Sequence, residues 1–284
     1  MRIGEVTMPE QVSGLHRPGR DATLKPLVRV TVDGRVATVL LDDPERRNPL
    51  STKMVEQLHA AVAGVAQNPE VRSVVITGAG PAFCAGGDVK KMQRSSGAGD
   101  ANRARDLRLA SAVVMGLRAL RQPLIAAVNG AAAGAGLSLA LLADFRIASR
   151  EAVFDLAFVK RGLMPDWGIT HLLPRVVGHR LALQWALRGT TLTADEALAT
   201  GLVDELHSRS EVLDRAQSLA GELAKHAPLA VARTRHAMQS AALPKLESAL
   251  ATEAIGQLAL YETSDHREGV ASFLEKRAPR FTGT

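Results

Sequence analysis

One segment constrains the fold more than any other. It is QPLIAAVNGAAAGAGLSLALLA at 122–143, which carries no charged residue. About 20 apolar residues suffice to cross a bilayer, so length alone permits a membrane span. The interior of the segment argues against one. Asn129-Gly130 is a turn signal, and Gly134 and Gly136 follow closely. The first part, PLIAAV, reads as a strand buried on both faces. The second, AGAGLSLALLA, reads as a small-residue helix packed on all sides. A strand, turn and helix that are all buried need a large core around them, and 284 residues can supply it in one large domain or two.

The rest of the chain supplies that core in an α/β pattern. Val28–Val32 and Val36–Leu41 flank Asp33-Gly34, which predicts a hairpin. Ser51 predicts the cap of a helix running to about Gln67, with Met54, Leu58, Ala61, Val62 and Val65 on one face. Val71–Thr77 predicts a buried strand closed by the Gly78–Gly80 turn. A helix follows over Asn102–Arg121, then a strand over Pro123–Val128 and a buried helix from about Gly134. Short strands are predicted at Asp144–Ser149 and Ala152–Phe154. From Thr170 onward the pattern is almost wholly helical. Thr193-Ala-Asp195-Glu196 starts a short helix that Gly201 ends, and longer helices are predicted over Glu211–Lys225, Pro228–Ser240, Leu246–Thr263 and Asp265–Lys276. The expected organisation is a flexible leader at 1–22, a core at 23–210 and a helical region at 211–284. Ser95–Asp100 is expected to be a mobile loop.

The formal net charge of +6 favours anionic partners. Nucleic acid is disfavoured, because the basic residues are dispersed and six Phe, two Trp and one Tyr offer few stacking faces. The single cysteine, Cys84, excludes an internal disulfide and a cysteine metal cluster, and reads as a small packed side chain. It fits a reducing, cytoplasmic setting. A phosphate-binding GxxxxGK[ST] loop and an HExxH zinc helix are both absent, and Gly78-Ala-Gly80-Pro-Ala-Phe83 lacks the third glycine of a dinucleotide fingerprint. Ser138 stands outside any GxSxG elbow.

Two glycine-rich segments remain, 78–92 and 129–139, each a strand end, a loop and a helix start. Such loops present free backbone N–H groups that stabilise a developing negative charge. Either segment alone is equally what a tight turn requires. Together with "LDDPERRNPLS" (41–51), "GLMPDWGITHLLPRVVG" (162–178), "TADEALATGLVDEL" (193–206) and "EGVASFLEKRAPRF" (268–281), they resemble the crotonase superfamily, the enoyl-CoA hydratase/isomerase family. The matching segments run collinearly from about residue 24.

The resemblance implies a spiral of ββα turns with a C-terminal helical oligomerisation region, assembled as a homotrimer or hexamer. It implies an acyl-CoA thioester as substrate, with no separate cofactor and no metal. An enolate formed at the thioester carbonyl would be held by the backbone N–H groups of Gly87 and Ala135. Position 135 is commonly glycine in the family, so the donor there survives only if the alanine backbone is unstrained. Hydratases of the family use two glutamates, whose positions are Ser138 and Phe158 here; neither residue can serve as acid or base. Asp166 sits where several Δ3,Δ2-enoyl-CoA isomerases carry a single acid. Its local Pro-Asp-x-Gly pattern is also that of a turn or helix cap. Isomerisation is therefore preferred, with hydration through another carboxylate such as Asp155, or acyl-CoA binding without catalysis, as alternatives. Arg46 or Arg47 and Lys276 are expected to meet the CoA phosphates, and Phe273 the adenine. Ala85, Asp88 and Val89 are expected to line the adenine and pantetheine path, with Pro165 and Trp167 beside Asp166.

Overall fold

The computed structural model describes residues 25–94, 100–240 and 243–280. The expected leader at 1–22 and most of the expected loop at 95–100 lie outside them.

The described residues open with the predicted hairpin. β1 (Val28–Asp33) and β2 (Val36–Leu41) pair antiparallel, with Gly34 at φ 54 in the turn. Ser51 caps α1 (Thr52–Gln67) by accepting the Met54 N–H, and Met54, Leu58, Val62 and Val65 turn inward at helical spacing. The next elements follow a repeating plan. β3 (Ser73–Gly78) is followed by β4 (Ala82–Cys84), then α2 (Val89–Arg94) and α3 (Asp100–Ala119). β5 (Leu124–Val128) is followed by β6 (Ala131–Ala133) and α4 (Ala135–Leu141). β7 (Phe145–Ser149) is followed by β8 (Val153–Asp155), a 3-10 turn at Val159–Arg161, α5 (Ile169–Val177) and α6 (His179–Arg188).

The first strand of each repeat enters a six-stranded sheet in the order β1-β2-β3-β5-β7 and a closing strand β10 (Glu205–His207). The second enters a four-stranded sheet in the order β4-β6-β8 and β9 (Thr191–Thr193). Consecutive turns pair in parallel in both sheets, which makes the chain a ββα spiral. β5 is buried at every position, as the uncharged run requires.

The sequence pattern differs from the structure at the short strands. β4, β6 and β8 are three residues each, and AFC and AAA carry no alternation to betray them. The region after Thr170 is not wholly helical. β9 and β10 interrupt it around α7 (Ala194–Ala199), whose capping box joins Thr193 and Glu196. Pairing with β8 and β7 satisfies their backbone groups, a tertiary benefit that a three-residue window cannot display.

Four more helices follow among the described residues: α8 (Val212–Leu223), α9 (Pro228–Ser240), α10 (Leu243–Tyr261) and α11 (Ser264–Glu275). α8 belongs to the core, burying Val212, Ala216 and Ala220 against Val75, Ile125, Ala127 and Ile147 of the large sheet. α10 packs against α3 and α5 and buries Leu246 and Leu250, whereas Ile255 stays exposed. No described helix is long and apolar enough to cross a membrane.

Candidate functional site

The two glycine loops meet. Gly86 sits at φ 81 after β4, and a Cβ there would lie 2.3 Å from the Ala133 carbonyl oxygen and 3.2 Å from the Ala135 nitrogen. A Cβ on Gly136 would lie 2.3 Å from the Cys84 carbonyl oxygen. Both contacts are too close for any side chain, so glycine is what lets the segments touch. Asn48 pins the region from the other side. Fully buried at φ 54, it donates to the carbonyls of Ala79 and Ala82, both at 2.9 Å, and accepts the Asp43 N–H.

Two backbone N–H groups come out of this arrangement without a hydrogen-bond acceptor among the described residues. Gly87 forms a parallel bridge with Leu50 that leaves its own N–H unused. Ala135 is the first residue of α4, where helix geometry supplies no acceptor. Ala135 has no positive φ; Gly134 before it takes that conformation, at φ 51. The alanine therefore keeps its donor without strain. Both residues line one cavity of about 250 Å³.

Asp166 lines the same cavity. Its Oδ2 accepts from Gln257 Nε2 at 3.0 Å, while Oδ1 is buried and has no hydrogen-bond partner among the described residues. The residue keeps some exposed surface, but the carboxyl itself is out of water. Burial pushes its pKa up to about 7; the Gln257 hydrogen bond opposes the rise and the Glu253 charge adds to it. Asp166 is not the helix cap that its Pro-Asp-x-Gly pattern allows, because Gly168 holds that place for α5. Trp167 at φ 56 and Gly168 at φ 78 form a left-handed turn directly after it.

The other expected site residues divide. Ala85, Asp88, Val89, Phe158 and Trp167 line the cavity. Ser138 does not; it is fully buried, and its Oγ donates to the Asp166 carbonyl at 3.0 Å, fastening α4 to the Asp166 turn. Pro165 stands outside the cavity wall. Arg46 also lies outside the wall, and its guanidinium is engaged with Asp88 at 2.5 Å and Asp43 at 3.5 Å. Arg47 and Lys276 are exposed, both in left-handed backbone, and neither lines the cavity. Phe273 is exposed beneath the Arg161 guanidinium, 4.4 Å from the ring centroid. Asp155, the expected alternative carboxylate, is bound to Lys160 and Thr191 and is not part of the wall. Cys84 is fully buried and its thiol is pushed up to about 12, in keeping with a packed side chain. Among the described residues no group of three His, Cys, Asp or Glu is placed to hold a metal ion.

Sequence reasoning missed the side of the cavity built by the C-terminal helices. Tyr261 of α10 and His266 of α11 both line it, with ring centroids 5.2 Å apart, and Arg103 of α3 lies over the Tyr261 ring. Burial raises the Tyr261 pKa and lowers that of His266. Glu253, Gln257 and Tyr261 recur every fourth residue within an otherwise apolar stretch of helix. That polar stripe was the available signal.

Comparison with known proteins bears on the same arrangement. Residues 31–284 match the family model described as enoyl-CoA hydratase/isomerase. The chain is 39% identical over 254 residues to 1,2-epoxyphenylacetyl-CoA isomerase of Escherichia coli K12, covering 89% of this chain and 97% of that protein. It is 36% identical over 249 residues to 2,3-dehydroadipyl-CoA hydratase of the same organism, covering 88% and 96%. Among solved structures it resembles an enoyl-CoA hydratase from Mycobacterium avium subsp. paratuberculosis K-10, with a TM-score of 0.81, 34% identity, and coverage of 90% and 98%.

Proposed function

Because the chain belongs to the enoyl-CoA hydratase/isomerase family of acyl-CoA enzymes, we propose that it is a Δ3,Δ2-enoyl-CoA isomerase in which Asp166 is the sole acid and base. The observation that carries this reading is that Asp166 lines the same cavity as Gly87 and Ala135, the residues with the two unused N–H groups. Among the described residues two other carboxylates line the cavity, and both are bound to cations: Asp88 to Arg46 and Asp106 to Lys91. Among the described residues Asp166 has no cationic partner. Water addition of the two-glutamate kind lacks both of its carboxylates, with Ser138 and Phe158 in their places.

The chemistry follows from those groups. The Asp166 carboxylate takes a proton from C2 of a 3-enoyl-CoA. The electron pair moves into a dienolate, and negative charge develops on the thioester oxygen. The Gly87 and Ala135 N–H groups, fixed by the loop contacts, meet that charge without reorganising. Asp166, now a carboxylic acid, returns the proton at C4, leaving the double bond between C2 and C3. A pKa near 7 suits a group that must act as base and then as acid at neutral pH. Coenzyme A enters as part of the substrate. Arg47 and Lys276, exposed and without a described side-chain partner, are the cations we assign to its phosphates. The two E. coli relatives carry the names of an isomerase and a hydratase, and what we take from both is the acyl-CoA substrate class.

The test follows 3-enoyl-CoA isomerisation and 2-enoyl-CoA hydration side by side. Asp166→Asn keeps the shape but cannot accept the proton, so isomerisation should fall by roughly 10²–10⁴-fold while CoA affinity is retained. Rapid hydration by both proteins, with isomerisation in neither, would make Asp166 structural.

A further inference from the structure

We infer that Gln257 is the positioning residue of the Asp166 carboxyl, aiming it and exchanging hydrogen-bond roles with it as the proton comes and goes, and that Glu253 holds the turn on which Asp166 stands. The inference rests on the reading that Asp166 moves the proton. The geometry of α10 carries it.

Gln257 is fully buried. Its Nε2 donates to Asp166 Oδ2 at 3.0 Å, and its Oε1 is buried with no hydrogen-bond partner among the described residues. One oxygen of the carboxyl is thus held and the other, Oδ1, is uncommitted. The amide carries an idle acceptor beside a group that must become a donor. When Asp166 holds the proton on Oδ2, a half-turn of the amide presents Oε1 to that O–H. Amide oxygen and nitrogen are almost the same size, and the terminal torsion of glutamine is broad, so the exchange needs no repacking. A neighbour that could only donate would oppose the proton; one that could only accept would oppose the charge. Glutamine serves both states.

Glu253 lies one helical turn earlier, 2% exposed. It accepts the Gly168 N–H at 2.8 Å and the Thr170 N–H at 3.3 Å, and bonds the Thr170 hydroxyl. The Gly168 N–H belongs to the left-handed Trp167–Gly168 turn, and Thr170 follows it. A bulky residue at positive φ persists only where its surroundings hold it, and Glu253 supplies that hold. One helix therefore fixes both the backbone and the carboxyl of the reacting residue.

Ionisable groups near Asp166 come from several elements. Glu253 and Tyr261 of α10 act on it or feel its charge. Around the same cavity stand Lys91 of α2, Arg103 and Asp106 of α3, Arg161 of the 3-10 turn, and His266 and Arg267 of α11, besides the Arg46–Asp88 pair. A pH profile alone could mix these, so Asp166 must be titrated directly.

The experiment uses the full chain as wild type, Gln257→Met, Gln257→Asn and Glu253→Gln, with folding checked by circular dichroism. Asp166 is titrated by its carboxylic C=O infrared band, identified as the band missing from Asp166→Asn. The pH dependence of 3-enoyl-CoA isomerisation is recorded in parallel. Gln257→Met has no amide, and Gln257→Asn holds its amide a methylene short. The N–H bond to the carboxylate is charge-assisted and stronger than a bond from the neutral acid to Oε1, so losing the amide costs the ionised state more. Either variant should move the Asp166 midpoint up by about one pH unit, a tenfold change in proton affinity, and lower kcat at pH 7 by roughly tenfold with KM within twofold. Glu253→Gln removes a like charge and should move the midpoint the other way. A midpoint unmoved in folded Gln257 variants, with any loss of rate matched only by loss of stability, overturns the inference. Titration shifts of the expected signs in a protein that turns over no enoyl-CoA would leave the positioning role standing and remove the isomerase reading instead.

Discussion

Replacing Asp166 by Asn should stabilise the protein at alkaline pH relative to acid pH, and the structure sets the size of the effect. Burial raises the folded-state pKa of Asp166 from its ordinary 3.8 to about 7. A carboxyl with a raised folded pKa contributes stability that is complete below the unfolded pKa. That stability is lost as pH rises through the folded pKa. The window here runs from about pH 4 to pH 7, between those two values. At pH 5 the folded carboxyl is protonated and the unfolded one ionised. The folded midpoint then lies about two pH units above the solution, which is worth about 3 kcal/mol. At pH 8 nothing remains. The substituted asparagine does not titrate, so the stability of Asp166→Asn relative to wild type should grow by about 3 kcal/mol between pH 5 and pH 8. The comparison is a double difference, so the fixed cost of an unpaired amide N–H in the Oδ1 position cancels. For a chain of this size the growth corresponds to roughly 5–10 °C in Tm. Urea unfolding of both proteins at the two pH values measures it. A difference independent of pH would refute the reasoning, because it would mean that Asp166 meets water in the folded state as it does in the unfolded one.

Two further outcomes follow from the same geometry. Gly136→Ala should cost several kcal/mol or prevent folding, since its Cβ would stand 2.3 Å from the Cys84 carbonyl oxygen, whereas Gly221→Ala, with open space around it, should be neutral or stabilising; urea midpoints compare the two. Cys84, buried and with its thiol pushed up to about 12, should resist an aromatic disulfide reagent at pH 8 until the protein unfolds, and labelling of the native protein at the rate of free cysteine would contradict its burial.

The scaffold of the site was legible in the order of residues. The uncharged 122–143 run had to be strand, turn and helix, and it holds β5 and α4, with the unread short strand β6 between them. Gly86 and Gly136 stand where no Cβ fits, so the two loops that supply the N–H groups could be read as glycine patterns. Ser51 and Thr193 announced their helices through local capping chemistry. Ser138 and Phe158 stand at the positions where the resemblance implies glutamates, and that placement underlies the proposed chemistry. The surroundings of Asp166 could not be read in this way. The polar stripe of α10 marks Glu253 and Gln257, but their partners, Asp166 across 91 residues of chain and Gly168 across 85, and the burial of Asp166 have no local pattern. The same is true of the Arg46 bond to Asp88, and of three-residue strands that form where a neighbour offers a ladder. The two groups differ in the range of the forces behind them. Turns, caps and close-approach glycines are governed by atoms a few bonds apart, which the residue order specifies. Desolvation and charge pairing depend on which distant segments close around a group, and those surroundings exist only once the chain has folded.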